Sequence, residues 1–242
     1  MEQGSLTARL ADALGSAVVD AKPLAVGFGL IGLEARLADS RHLAVKARAG
    51  GAGRRPDLTL EAYMLCELAR RTELPVPHVH HAEPGLPAMD FIETDGRGIG
   101  PSAKRHAGEL IARLHATPRE AFGYEQDTLI GPLPQPNPIS RRWVSFFRDQ
   151  RLLFMAHAAH REGALPSAML RRIERFAERI GDYLVGPAFL SLLPRRPMDR
   201  NVLVKGGRIA GFVDPDLLRT PRDRARLRDP LRHVRGAVLC RL

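Results

Sequence analysis

The run Asn201-Val202-Leu203-Val204, then Lys205-Gly206-Gly207-Arg208, then Phe212-Val213-Asp214-Pro215 constrains this chain more than any other stretch. Two short apolar segments around a Gly-Gly pair read as a β-hairpin with a tight turn. Pairing of that kind folds the second strand back on the first, so Asn201 and Asp214 end on neighbouring strands at the hairpin's open end. Both carry hard oxygen donors of the type that Mg²⁺ takes. Asp214 precedes Pro215, so turn initiation is the competing reading of that residue. The loop in front is Leu192-Leu193-Pro194-Arg195-Arg196-Pro197-Met198-Asp199-Arg200. It places Arg196 five residues before Asn201.

At 242 residues, 44% of them hydrophobic, the chain has material for one large core or two lobes. No apolar run approaches membrane-spanning length, and Met1 to Ala11 lacks the pattern of a signal peptide. Cys66 and Cys240 are too few for a disulfide framework, so a cytoplasmic location is expected. The net charge of +10 invites a nucleic-acid partner, yet its distribution argues against one. Residues 195–242 hold 13 Lys and Arg against 5 Asp and Glu, whereas residues 1–194 hold 24 against 22. The basicity belongs to the tail, which lacks the interleaved aromatics of a single-strand platform.

Leu6, Leu10, Ala13 and Leu14 have helical spacing. Leu24–Leu30, Glu34–Ala38 and His42–Ala47 read as three short strands. Asp57 or Thr59 caps an expected helix that runs to Arg71 and is broken by Leu74-Pro75-Val76-Pro77. Strands follow near Val79–Ala82 and Leu86–Ile92, then a glycine-rich linker, Asp95–Gly100. From there to the hairpin the chain reads as helical, over Ser102–His115, Pro138–His160 and Pro166–Leu184. A β-rich first third and a helical remainder predict a two-lobed α+β protein, with one lobe in residues 1–93 and the other in 94–242.

Chemistry-bearing residues cluster in that first third. Lys46 ends the strand Leu43-Ala44-Val45-Lys46, as a lysine meeting the phosphates of a nucleotide does. Glu61, early on the following helix, is placed to pair with it, although a strand lysine and a helix glutamate are also common as solvated charges. Gly27-Phe28-Gly29-Leu30-Ile31-Gly32 matches G-x-G-x-x-G, and a strand rather than a helix follows it. That disfavours a Rossmann site and fits a glycine turn over ATP. Met89, Asp90 and Phe91 end the last strand of this part, where a hinge offers backbone groups to adenine. His78, His80 and His81 lack partners at metal-ligand spacing and are expected to be exposed. Cys66 is expected in the core rather than as a nucleophile.

Between these parts lies a more specific run: Phe122-Gly123-Tyr124, then Thr128 to Asn137 (Thr-Leu-Ile-Gly-Pro-Leu-Pro-Gln-Pro-Asn), then Trp143, Phe146-Phe147 and Arg151-Leu152. With Leu60 to Leu65 and Leu110 to His115, it resembles the fructosamine (ketosamine) kinases, a branch of the aminoglycoside-phosphotransferase-like, protein-kinase-like fold. The resemblance covers about residues 5 to 215. It implies an ATP- and Mg²⁺-dependent phosphorylation of a sugar hydroxyl on a ketosamine, a deglycation activity. Gly27, Gly29, Gly32, Lys46, Glu61 and Met89 to Phe91 would then hold the nucleotide, and Asn201 and Asp214 the metal. Alternatives are a related aminoglycoside- or choline-type kinase and a nucleotide-binding pseudokinase.

Two departures from the family pattern stand out. Its catalytic loop begins His-Gly-Asp, and that Asp is expected to accept the substrate hydroxyl's proton; Arg196 holds its place and can neither accept a proton at neutral pH nor ligate Mg²⁺. After Pro215 the family continues Ala-Ile-Tyr-Tyr and then further helices, whereas here Asp216-Leu217-Leu218-Arg219 leads into a basic tail and an expected shortened C-lobe. Synonymous codons for Pro194–Asn201 exist that, read one base along, give His-Gly-Asp-Pro-Trp-Thr-Gly. Codons for Asp216–Asp229 likewise give Ile-Tyr-Tyr-Ala-Pro-Arg-Glu-Ile-Glu-Leu-Ala-Phe-Ala. Shifted reading frames at both places account for the loss of the Asp and for the Arg-rich tail, and the native coding DNA tests this directly.

Overall fold

The structure is a computed structural model that describes residues 3–26, 30–48, 58–130, 133–187, 190–191, 193–194, 201–214 and 217–218. Gly27, Phe28, Gly29, Asp57, Arg196, Pro215 and the tail from residue 219 lie outside the described residues. So do the expectations that rest on them, including the substituted catalytic position.

The chain opens with α1 (Gln3–Leu14), β1 (Val18–Leu24), β2 (Leu30–Leu37), β3 (His42–Arg48), α2 (Leu58–Arg71), β4 (Val79–Glu83), β5 (Leu86–Asp90) and α3 (Pro101–Ala116). The five strands form one antiparallel sheet in the order β1-β2-β3-β5-β4. Successive side chains of a strand point to opposite faces. Leu33, Ala35 and Leu37 of β2, Leu43, Val45 and Ala47 of β3, and Leu86 and Ala88 of β5 therefore share one face, which packs on Leu6 and Leu10 of α1. The intervening residues, Gly32, Glu34 and Arg36 of β2 with His42, Ala44 and Lys46 of β3, lie side by side on the other face by register. One face is spent on the core and the other is left for polar chemistry.

Of the expected first strand, Leu24–Leu30, the described part differs: Leu24 ends β1, Ala25 and Val26 belong to no strand, and Leu30 opens β2, while Gly27 to Gly29 lie outside the described residues. The edge strand β1 hid because it alternates poorly, carries Pro23 and exposes Val19. In α2 the apolar buried positions Leu58, Ala62, Met64, Leu65 and Leu68 keep to one side, and Glu67 is buried as well. Cys66 faces solvent, which corrects its expected burial.

After α3 come β6 (Pro118–Arg119), β7 (Thr128–Ile130) and β8 (Leu133–Gln135), then α4 (Trp143–Phe147), a six-residue π-helical segment (Arg148–Leu153), α5 (Phe154–Arg161), α6 (Ser167–Glu178) and a 3₁₀ turn at Ile180–Asp182. The expected helix from Pro138 thus begins only at Trp143, and short strands interrupt the helical stretch. Prolines at 132, 134, 136 and 138 strip every second backbone N–H from this run, which no helix tolerates. The chain continues through β9 (Leu190–Ser191), β10 (Leu193–Pro194), β11 (Val202–Lys205), β12 (Arg208–Phe212) and β13 (Leu217–Leu218). β11 and β12 form the expected hairpin, with Val202 opposite Phe212 and Lys205 opposite Arg208. Gly206 and Gly207 both take positive φ, 60° and 73°, as a two-residue hairpin turn of the I′ kind demands.

Two compact units result. The first combines Met1–Thr117, Thr128–Pro134 and Leu192–Leu218, so it takes in α3 and the β11–β12 hairpin as well as the sheet. The second combines Pro118–Asp127, Gln135–Ser191 and Arg219–Leu242, and its core is Phe122, Trp143 and Phe146, flanked by Val144 and Phe147.

Candidate functional site

Lys46 projects from the polar face of β3, and Glu61 stands in the first turn of α2. The Lys46 ammonium donates to Glu61 Oε1 at 2.6 Å and also to Asp214 Oδ1 at the end of the hairpin. Lys46 and Glu61 are largely buried, with 13% and 14% of their side chains exposed, whereas Asp214 is half exposed at 51%. One carboxylate is therefore a fixed support and the other faces solvent. Burial pulls the Lys46 pKa down, but the carboxylates of Glu61 and Asp214 outweigh it and hold the lysine above its ordinary value. Burial, opposed by the Lys46 ammonium and reinforced by the Asp214 charge, pushes the Glu61 carboxyl up to about 7. Lys46 is thus cationic at neutral pH, and the net charge of the group turns on Glu61.

The hairpin register brings Asn201 to the same end. Val213 N–H donates to the Asn201 carbonyl at 3.0 Å, and Phe212 N–H donates to the Pro75 carbonyl at 2.8 Å. Asn201 is thereby one residue away, across the strand pair, from Asp214. Asp214 adopts φ of 50°, a left-handed conformation that Asp tolerates better than most residues and that recurs at functional sites. Asp214 lies beside the buried lysine, and both it and Asn201 carry hard oxygen donors of the kind Mg²⁺ takes.

Gly32 sits opposite Lys46 in the sheet. A Cβ there would overlap the Leu24 carbonyl oxygen and lie 2.7 Å from Val26 Cγ1, so the close approach of β1 accounts for this glycine. Gly27 and Gly29 lie outside the described residues. Met89 is buried on the polar face beside Ala44. Asp90 N–H donates to the His78 carbonyl and Phe91 N–H to the His42 carbonyl, each at 2.9 Å, so both are committed to sheet partners. The Phe91 ring stacks on His42 with centroids 4.4 Å apart. His78 is exposed, and its ring meets His80 edge to face, while His80 pairs with Asp90 at 2.6 Å. Among the described residues no group of three or more His, Cys, Asp and Glu is placed to hold a metal.

Sequence reasoning missed what fastens the hairpin. Lys205 pairs with Glu93 at 2.6 Å, Gly206 N–H donates to Asp95 Oδ2 at 2.9 Å, and Asp95 N–H returns to the Val204 carbonyl at 3.3 Å. These acids stand in and beside a glycine-rich stretch that reads as linker, and nothing in their spacing signals a partner 111 residues away.

The second unit holds a polar network at the most specific sequence run. Asn137 uses every polar group: its N–H donates to Asp127 Oδ1 (2.8 Å), its carbonyl accepts from Tyr124 N–H (2.8 Å), its Nδ2 donates to the Gln126 carbonyl (3.3 Å), and its Oδ1 accepts from Arg151 (2.6 Å). Arg151, in the π-helical segment, also donates to the Pro136 carbonyl at 2.6 Å and lies 4.5 Å over the Phe146 ring. Burial lowers the Arg151 pKa to about 10, partly offset by Asp127. The signature run is thus explained as the hydrogen-bonded frame of a core.

A lysine held by a helix glutamate, with an Asn and an Asp at one hairpin end, is the geometry in which the relatives of this chain are informative. The fructosamine kinase family model matches residues 21–191. A protein of Synechocystis, named as a probable ketoamine kinase, is 33% identical over 135 residues, covering 55% of this chain and 44% of its own length. The solved structure of a Thermobifida fusca protein assigned as a fructosamine-3-kinase superposes with a TM-score of 0.75 at 25% identity, covering 91% of this chain and 76% of that one. The aminoglycoside phosphotransferase APH(2″)-IIa, solved in a ternary complex with streptomycin and ATP, shares the fold at a TM-score of 0.55 and 15% identity, covering 91% and 73%. The chain spans about half the length of the curated relatives it matches. It belongs to the fructosamine kinase family, with the α+β, protein-kinase-like fold of that family and of the aminoglycoside phosphotransferases.

Proposed function

We propose that this chain is an ATP- and Mg²⁺-dependent phosphotransferase by descent, built to phosphorylate a sugar hydroxyl of a small-molecule ketosamine. Its nucleotide site is retained and its turnover impaired. The observation that carries the reading is the Lys46–Glu61–Asp214 cluster, assembled by three separate elements of one compact unit. Phosphoryl transfer is catalysed mainly by positioning and charge neutralisation, and this cluster supplies both. Glu61 holds Lys46 from behind, so the ammonium meets phosphate oxygens at little cost in side-chain freedom. Asp214 and Asn201 would hold Mg²⁺, with Asp214 exchanging Lys46 for the metal. The metal held there would neutralise negative charge on the phosphates. Met89, beside Ala44, would floor the base end, with Asp90 and Phe91 bordering it. Gly27 and Gly29 would cover the phosphates, while Gly32 serves the close approach of β1.

Arg196 stands where the carboxylate that accepts the hydroxyl's proton is expected, so that acceptor is lost. Loss of a general base lowers turnover by about 10² to 10⁴-fold. No helix among the described residues is long and apolar enough to cross a membrane. We place the protein in the cytoplasm, with no nucleic-acid partner. The reading is tested by titrating MgATP into the chain and its Lys46→Met variant, alongside transfer from labelled ATP to a fructosamine. Binding by the parent and not by K46M, with transfer near background, supports it. Near-normal transfer overturns the impairment, and no MgATP binding overturns the reading itself.

A further inference from the structure

We propose that His106 is a positioning residue that seats the hairpin bearing Asn201 and Asp214, and that its protonation unseats that hairpin. The seating stands on geometry alone, while its effect on ligand binding rests on the nucleotide reading above.

His106 lies one turn into α3, half-buried against β12. Ser102, on the preceding turn of α3, lies 3.9 Å from where a Cβ on Gly207 would be. Ile209 N–H donates to His106 Nδ1 at 3.0 Å. The strand ladder slips at this point, between the pairs Leu203–Gly211 and Val204–Ile209, and the imidazole serves the amide there. A backbone N–H only donates, so Nδ1 must carry a lone pair. On the other side of the ring, Arg208 Nη2 lies 2.8 Å from Nε2, and a guanidinium has no acceptor to offer.

Both described neighbours of His106 are donor groups, and one is a cation; the neutral ring has a single acceptor nitrogen, which Ile209 N–H takes, so Nε2–H faces Arg208 without a hydrogen bond. An imidazolium has N–H on both nitrogens: it would turn a donor toward Ile209 N–H and put a second positive charge against Arg208. Of the other charged groups nearby, Glu93 and Asp95 are engaged by Lys205 and by the Gly206 amide. On α3 itself, Arg105 is adjacent and Glu109 is one turn further along. Hydrogen bonding to the turn holds Asp95, and Lys205 holds Glu93, below the usual carboxylate range, so these two fasteners persist as pH falls. His106, the third fastener, lets go once its ring is protonated. Its release frees β12 on the helix side, and β12 runs directly into Asp214.

Amide exchange at Ile209, expressed as a protection factor between pH 5 and 8, tests the seating in the full chain. The parent is expected to lose protection about tenfold between pH 8 and pH 5. His106→Asn, which keeps an acceptor but does not titrate, keeps protection throughout, and His106→Phe lacks it throughout. Affinity for MgADP should weaken in step in the parent and stay flat with pH in H106N. Ile209 protection that is flat with pH in the parent, or that titrates equally in H106N, overturns the proposal. If protection titrates as expected while MgADP does not bind at all, the seating stands and the nucleotide reading falls.

Discussion

Under α1 the described core of the five-stranded sheet is aliphatic, leucine, valine and alanine with Ile31 at its margin, whereas around Trp143 the aromatic rings share their space with Asn137 and Arg151. The first core needs no polar specificity. Alternation along β2, β3 and β5 sets its register, and a slip of one residue would exchange the two faces, driving Lys46 into the core. The second core lies where prolines forbid a ladder, so side-chain hydrogen bonds do the positioning that strand pairing does elsewhere. A regular scaffold can give a whole face to chemistry, while an irregular one spends its polar groups on holding itself together.

Breaking the aliphatic side has the largest expected effect. Leu43→Ala, at a fully buried position, is expected to cost about 2 to 5 kcal/mol in denaturant unfolding. On the irregular side, Gly123 takes φ of 87°, and a Cβ there would overlap the Pro138 carbonyl oxygen and lie 2.7 Å from the Asn137 carbonyl oxygen. Gly123→Ala combines a strained backbone with an overlap on backbone atoms and should cost about 3 kcal/mol, read as a drop in Tm. Arg151→Met keeps the apolar stem over Phe146 but leaves the Asn137 oxygen and the Pro136 carbonyl unserved, at about 2 kcal/mol. Equal costs for Arg151→Met and an exposed arginine control such as Arg179→Met would erase the contrast between the two cores.

The smallest effect belongs to the β2–β3 turn. The Arg41 guanidinium beside Asp39 holds that carboxyl down at about 2. A carboxyl with a lowered folded pKa adds stability above its unfolded value, near 3.9, and loses it as pH falls toward 2. The Tm difference between the parent and Asp39→Asn should therefore be constant from pH 7 to 5 and shrink below about pH 4. A difference that grows on acidification would show that Arg41 does not stabilise this turn through charge.

Elements with strong local chemistry were legible before any coordinates: α1 and α2 from helical spacing, β3 from its alternation, and the hairpin from its Gly-Gly turn. The Lys46–Glu61 pair was legible too, because a strand and the helix after it are neighbours along the chain. The edge strand β1 was not, since an edge exposed to water carries no clean apolar period. Cys66 was misplaced because a helix stripe is about 100° wide and a neighbouring position falls just outside it. Glu93, Asp95 and His106 were invisible as fasteners, for their partners lie about a hundred residues away.

The sequence by itself determined the family, the α+β architecture and the residue types of the site, because period, turn chemistry and motif spacing are all short-range properties. Only the tertiary structure decided that Asp214 reaches Lys46 from the far end of the chain, that backbone pairing consumes the N–H groups of Asp90 and Phe91, and that His106 serves an amide at a slip in the ladder. Each of those depends on where two distant segments meet, and the packing of α1, α2 and α3 against strands sets that meeting, with no local signal in either segment.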